Sequence, residues 1–308
     1  PTRRSSDLEE GRVFEIMQLA DWITKLAPDF TTVWAFQAWN MAYNISVLFP
    51  DPATRWRWVH NAIRLLREEG LRFNQRNPNL FKELGWLYQH KIGYFMDSAH
   101  WYYKRQLASS MANVLDGSSP NYEDNTQLNR LRDEFKLDPE IMRTIDWRYG
   151  PFDWRLPETH SFYWAWRGKT IAPQPDGAGA RACAQMLFQS ISATFRKGRL
   201  EFEPASGLYL TSPRLDLLPH ALAVYEETLQ TFDLPIFHNA YANFISEAAI
   251  IFYCYGELDQ AQTLYRKLID RYGANDNITA FDEFIAASMR AIEHPDFDLP
   301  YDDAFAVV

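Results

Sequence analysis

A chain of 308 residues with 31 basic and 40 acidic side chains has a formal charge of −9, which repels phosphate backbones and argues against nucleic acid as a partner. Aromatic residues make up 16% of it, with 11 Trp, 16 Tyr and 21 Phe, and this excludes a disordered chain. Cys183 and Cys254 fall inside apolar helical patterns without metal-ligand spacing or a disulfide framework, so both read as small buried hydrophobes and the compartment stays open.

Residues 1–8, "PTRRSSDL", look like a translated sequencing adapter and are set aside, so the natural chain is expected to begin upstream. Without Arg3, Arg4 and Asp7 the charge becomes −10, with 29 basic against 39 acidic residues. Apolar residues then recur at steps of three and four, which predicts helices over 12–27, 31–48, 54–73, 79–94, 97–115, 125–136, 138–146, 157–169, 179–197, 214–231, 237–255, 257–272 and 278–293. Proline and glycine punctuate the breaks at 49–54, 116–125, 148–157 and 172–179. One alternating stretch, 199–212, with Leu200 and Phe202 followed by Leu208 and Leu210, reads as either a small hairpin or an extended loop. The longest apolar run, 248–255, is far short of the roughly 18 residues a membrane span needs. After His294 the acidic, proline-broken tail 295–308 reads as a strap or a loose end.

Gly256 interrupts what otherwise reads as continuous helix over 253–273, where glycine is unfavourable. A turn between two helices explains it, because positive φ is cheap for glycine. Around it, Ala249 and Ala261 are small where two helices would cross, Phe252 and Tyr265 fill the neighbouring space, and Leu258 opens the second helix. This spacing resembles the tetratricopeptide repeat. A second match lies at 77–107, with Leu84, Gly85 and Tyr88 as the L-G-x-x-Y core, Gly93 at the turn, and Ala99 and Tyr103 on the second helix after a two-residue insertion. A third begins at Trp34 and Ala38. Trp34 and Phe81 are 47 residues apart, 13 more than the ideal repeat, so the array departs from regularity.

The expected fold is therefore all-α: an irregular α–α superhelix, a tetratricopeptide-like solenoid, in which stacked hairpins bury a continuous core. Its parts would be repeats over 9–115, an irregular helical insert with an aromatic-rich loop over 116–213, and further repeats with a capping C-terminal helix over 214–294. The chain also looks like uncharacterised bacterial repeat proteins that carry a membrane segment upstream of their first repeat. That resemblance implies an anchor in the inner membrane through a segment absent here.

In the repeat family, the concave face is lined by set positions of each first helix. The resemblance places Phe36, Trp39 and Tyr43 there in the first repeat, and Lys82, Trp86, Gln89 and His90 in the second. Some members clamp a peptide carboxylate with Lys, Asn and Arg. Here only Lys82 fits that role, and Trp39 and Trp86 stand where the clamp needs asparagine, which argues against an acidic chaperone tail. What is left is an aromatic groove suited to a protein or peptide ligand, or to a glycan.

No phosphate-cradling glycine loop, nucleophile elbow, metalloprotease or C-x-x-C motif is present, and no cofactor or metal is implied. Glu158 and His160 invite an acid–base reading, but Pro157 and Glu158 read as a helix start with His160 on the helix surface. Asn44 and Asn277 fit the glycosylation pattern, the first inside an apolar helix. The densest aromatic stretch, 149–168, either plugs the groove or presents a binding surface. The expected function is a non-catalytic interaction scaffold. The alternative is an all-helical carbohydrate-active enzyme or glycan-binding protein, which would require a carboxylate pair in an aromatic cleft.

Overall fold

Several helices of this chain open where an Asx residue or a proline sets the first turn. The computed structural model describes residues 22–273 and 280–293, together with Glu15, Gln18 and Leu19. Asp51 accepts from the Thr54 N–H and caps a helix that begins at Pro52, and Asn77 caps one that begins at Pro78. Asp124 and Asp138 do the same for the next two helices of that kind. These caps satisfy amides that no intrahelical bond reaches, and a proline at the first position has no amide to satisfy.

The result is an all-α protein with one hairpin. In chain order its elements are α1 (Thr31–Trp39), α2 (Pro52–Arg64), α3 (Pro78–Trp86), α4 (His100–Ala112), α5 (Asn125–Phe135), α6 (Pro139–Tyr149), α7 (Pro157–Ile171) and α8 (Ala178–Lys197). Then come β1 (Arg199–Glu203), β2 (Leu208–Ser212), α9 (Leu218–Thr231), α10 (Pro235–Cys254), α11 (Leu258–Tyr272) and α12 (Phe281–Glu293). Helix α1 continues through a π-helical segment, Asn40–Ile45, and α3 through another, Leu87–Ile92. A third, Leu65–Gly70, follows α2. The two on α1 and α3 pack against each other and are offset by the same 47 residues that separate Trp34 from Phe81.

One hydrophobic core runs from Trp34 to Leu264. Helix α7 is its axis, packed against both α3 and α8. From Pro157 to Ala165 it has no exposed face, and it carries no amphipathic stripe, as a helix enclosed on all sides should not. Gly85 lets α3 approach it: a Cβ there would lie 2.6 Å from Met186 Sδ and 3.2 Å from the Ser161 carbonyl oxygen. Phe152, Trp154, Phe162, Tyr163 and Trp164 are all buried, so most of the dense aromatic stretch is core rather than display. Trp154 Nε1–H donates to Asp146, which also accepts from the Tyr122 hydroxyl and the Phe152 amide. Burial raises the Asp146 pKa against those bonds.

At the other end, α10 and α11 form a hairpin turned by Gly256, which has φ +79°. Ala249 and Ala261 are fully buried where the two helices meet, with Phe252 and Tyr265 buried beside them. Trp34, Ala38, Leu84, Tyr88 and Tyr103 are likewise core residues.

Several expectations are corrected. Helix α4 begins at His100, so Ala99 caps it from outside the helix. Gly93 does follow the last helical residue, but with an ordinary negative φ; the chain turns through 93–99 instead. Leu258 does open α11, yet it is 51% exposed because it faces away from α10. Cys254 is exposed at the end of α10, whereas Cys183 is buried and its thiol is pushed up to about 12 by that burial. The stretch 199–212 is a hairpin, but Tyr209 takes the inward position opposite Phe202 and leaves Leu208 and Leu210 exposed. The adapter-like residues, Asn277 and the tail 295–308 lie outside the described residues.

Candidate functional site

The seven residues expected to line a concave face come from two helices in different hairpins, and most of them meet. Trp39 stacks on Tyr43, with ring centroids 5.5 Å apart, and Tyr43 meets His90 at 5.7 Å. His90 stacks on Trp86 at 4.6 Å, with the two planes only 11° apart. Tyr94 extends the series from His90 at 5.7 Å. The Tyr43 hydroxyl lies 3.1 Å from His90 Nδ1. The ladder is uncharged near neutral pH: burial and the neighbouring Lys91 lower the His90 pKa, and burial raises that of Tyr43.

The π-helical segments matter to this geometry. Each widens the helix at the turn that carries Tyr43 or His90, and such insertions recur at functional sites. Trp39 is 44% exposed and Phe36, one turn earlier on α1, is 50% exposed. Tyr43, Lys82, Trp86, Gln89 and His90 are half-buried. Lys82 Nζ sits 5.3 Å from the Trp86 ring centroid and 3.0 Å from Glu83 Oε1, so the one clamp-like cation is already engaged. Gln89 is approached at 3.4 Å by the Ser161 hydroxyl, which in turn accepts from Ser190.

Beside the ladder lies a cavity of about 530 Å³. Trp86, Gln89 and His90 form one wall, with Gly93 and Tyr94 from the following loop. The opposite wall comes from α8, α9 and α10, with Phe188, Tyr225 and Phe244 as its rings and Arg196 and Glu247 as its charges. Arg196 Nη1 bridges both Glu247 oxygens, at 2.7 and 3.0 Å. Glu158, from the first turn of α7, closes the cavity between the walls. Its sequence neighbour His160 is turned inward rather than toward solvent. His160 is fully buried, stacks on Tyr88 at 4.8 Å, and bonds the Trp154 carbonyl oxygen through Nε2 at 2.9 Å. Burial brings its pKa down to about 4. The surface position expected for His160 is wrong because α3 and α8 enclose α7 on every side.

The walls supplied by α8, α9 and α10 carried no sequence signal. Their cavity residues are spaced as ordinary core positions, and only the pairing of Arg196 with Glu247 across two helices sets them apart. Among the described residues no group of His, Cys, Asp and Glu could hold a metal ion, and no helix is long and apolar enough to cross a membrane.

No protein-family model, no curated protein and no solved structure matches the chain.

Proposed function

We propose that this protein is a tetratricopeptide-like scaffold that binds a segment of a partner protein in the aromatic groove. The observation that carries the reading is the convergence of Trp39, Tyr43, Trp86 and His90 into one half-exposed stack beside a 530 Å³ cavity. Rigid rings offer large contact area at little entropy cost, and a cavity of this size admits a few anchoring side chains. The matched π segments and the Gly256 hairpin support the repeat resemblance.

The test is to pan a random dodecapeptide library on the protein and on a Trp39→Ala, Trp86→Ala double variant. The expected outcome is peptides that bind the parent and lose about tenfold or more in affinity on the variant, as truncated hot spots do. Selected peptides that bind both proteins equally would refute the groove.

A second reading, glycan binding or glycoside hydrolysis, draws support from Glu158 and Glu247 bordering the same aromatic-walled cavity. Against it, the Glu247 carboxylate is held by Arg196. Hydrolysis of aryl glycosides that is lost in Glu158→Gln would favour this reading over the scaffold.

A further inference from the structure

Glu158 is the group that the groove reading leaves unused. It is 4% exposed, yet it borders the cavity. Among the described residues, no hydrogen bond or ion pair reaches its carboxylate. Its oxygens are not sealed off but reach the cavity, and a carboxylate so nearly enclosed, without a protein donor, is open to a cation that enters there. The α7 N-terminus offsets part of the cost of that enclosure, since Glu158 is its second residue. Gly93 faces it from across the cavity wall, where a Cβ would lie 3.1 Å from Glu158 Oε1, so the absent side chain leaves the carboxylate approachable. The Arg196 guanidinium, which also borders the cavity, is bound to Glu247.

We propose that the bound segment is anchored by a basic side chain, lysine or arginine, that enters the cavity beside Trp86 and Tyr94 and donates to Glu158. The proposal rests on the groove reading and names the chemistry of its ligand. An ammonium or guanidinium is the partner that a lone buried carboxylate lacks, and charge-assisted bonds are the strong ones. Indole and phenol faces attract the same cation, and its methylene stem packs on them. The acidic chain as a whole draws basic partners toward it.

The test pans the random dodecapeptide library on the full chain and on Glu158→Gln in parallel. It then measures the leading peptide and its lysine-to-norleucine (or arginine-to-citrulline) analogue on both proteins. The expected result is a basic residue at one fixed position among peptides selected on the parent, absent from those selected on Glu158→Gln. The neutral analogue should lose about tenfold or more on the parent and under about twofold on the variant. Selected peptides without a basic position, or an equal loss on both proteins, would overturn the proposal while leaving the groove intact. Peptides that bind the Trp39→Ala, Trp86→Ala variant unchanged, or no selection at all, would overturn the groove reading and this proposal with it. Should Glu158→Gln fail to fold, the analogue on the parent decides: undiminished binding contradicts the cation anchor.

Discussion

Two aromatic clusters, both built on Trp and Tyr, meet opposite fates in this molecule. Around α7, Trp154, Phe162, Tyr163 and Trp164 are enclosed, and the polar tips of two of them find partners: Trp154 Nε1–H donates to Asp146, and the Tyr163 hydroxyl accepts from the Asp138 amide at 2.7 Å. Along α1 and α3, Trp39 stacks on Tyr43 and Trp86 on His90, the two pairs meet at a tilt of 48° between Tyr43 and His90, and all four rings remain half in solvent. The α7 rings contact one another mostly edge to face, as rings filling a core from several directions do. The ladder rings form two stacked pairs joined at a tilt along one part-exposed surface, which is a shape that accepts another flat or extended group. Composition therefore does not separate a core from a binding surface; the number of helices around each ring does.

That contrast can be broken by substitution. Trp154→Ala should be the most damaging, costing about 3–5 kcal/mol by cavity formation, with Asp146 losing a donor as well. A loss of under about 1 kcal/mol in denaturant unfolding would show that α7 is not the core's axis.

His160 makes the contrast visible in pH. Its folded pKa, about 4, lies below the ordinary value of 6.5, so the folded state prefers the neutral ring. The stabilisation is complete above about pH 6.5 and is lost as the pH falls toward 4, by about 3 kcal/mol in all. His160→Phe keeps the stack on Tyr88 and should flatten that slope between pH 6.5 and 4. An unchanged slope would assign the acid loss in that range to other groups, such as His60 and His90, whose pKa values burial also lowers; Asp97 acts only at lower pH. Burial works to raise the Asp97 pKa, but bonds from Lys91 and the Ala99 amide, with the Lys91 and Arg55 charges, hold it below the ordinary value. Its contribution is therefore present above about pH 4 and lost only below that.

Gly256→Ala should cost about 1 kcal/mol, all of it backbone strain at φ +79°, because no atom lies within 4 Å of the added Cβ. A thermal melt that does not shift would contradict the turn geometry between α10 and α11. The Trp39→Ala, Trp86→Ala pair should likewise cost little, no more than about 1 kcal/mol, because both rings are part-exposed. A collapse on the scale of Trp154→Ala would place the ladder in the core.

Helical periodicity and the proline and glycine breaks made the all-α class legible, and Gly256 was readable as a turn because no other role suits glycine there. The ladder was legible as a matching offset: the same spacing put Trp39 and Tyr43 on one expected face with Trp86 and His90. The burial of His160 was not, since a histidine three residues after a helix-opening proline looks the same whether two helices enclose it or none. The far wall of the cavity was hidden for the related reason that Phe188, Tyr225 and Phe244 serve the core and the cavity at once. Periodicity reports which face of a helix is apolar, not what stands opposite. Tyr209 taking the place expected for Leu208 and Leu210 is a third case: strand register depends on the partner strand and turn, which the alternation of one strand leaves free.

The account's central claim, that the ladder meets a ligand while the α7 cluster only supports it, is tested most directly by hydrogen–deuterium exchange of the full chain with and without a selected peptide. Slowed exchange in 39–48, 86–94 and 189–197, with α7 amides unchanged, is the predicted result. Protection confined to any other face, or none in 86–94, would contradict it.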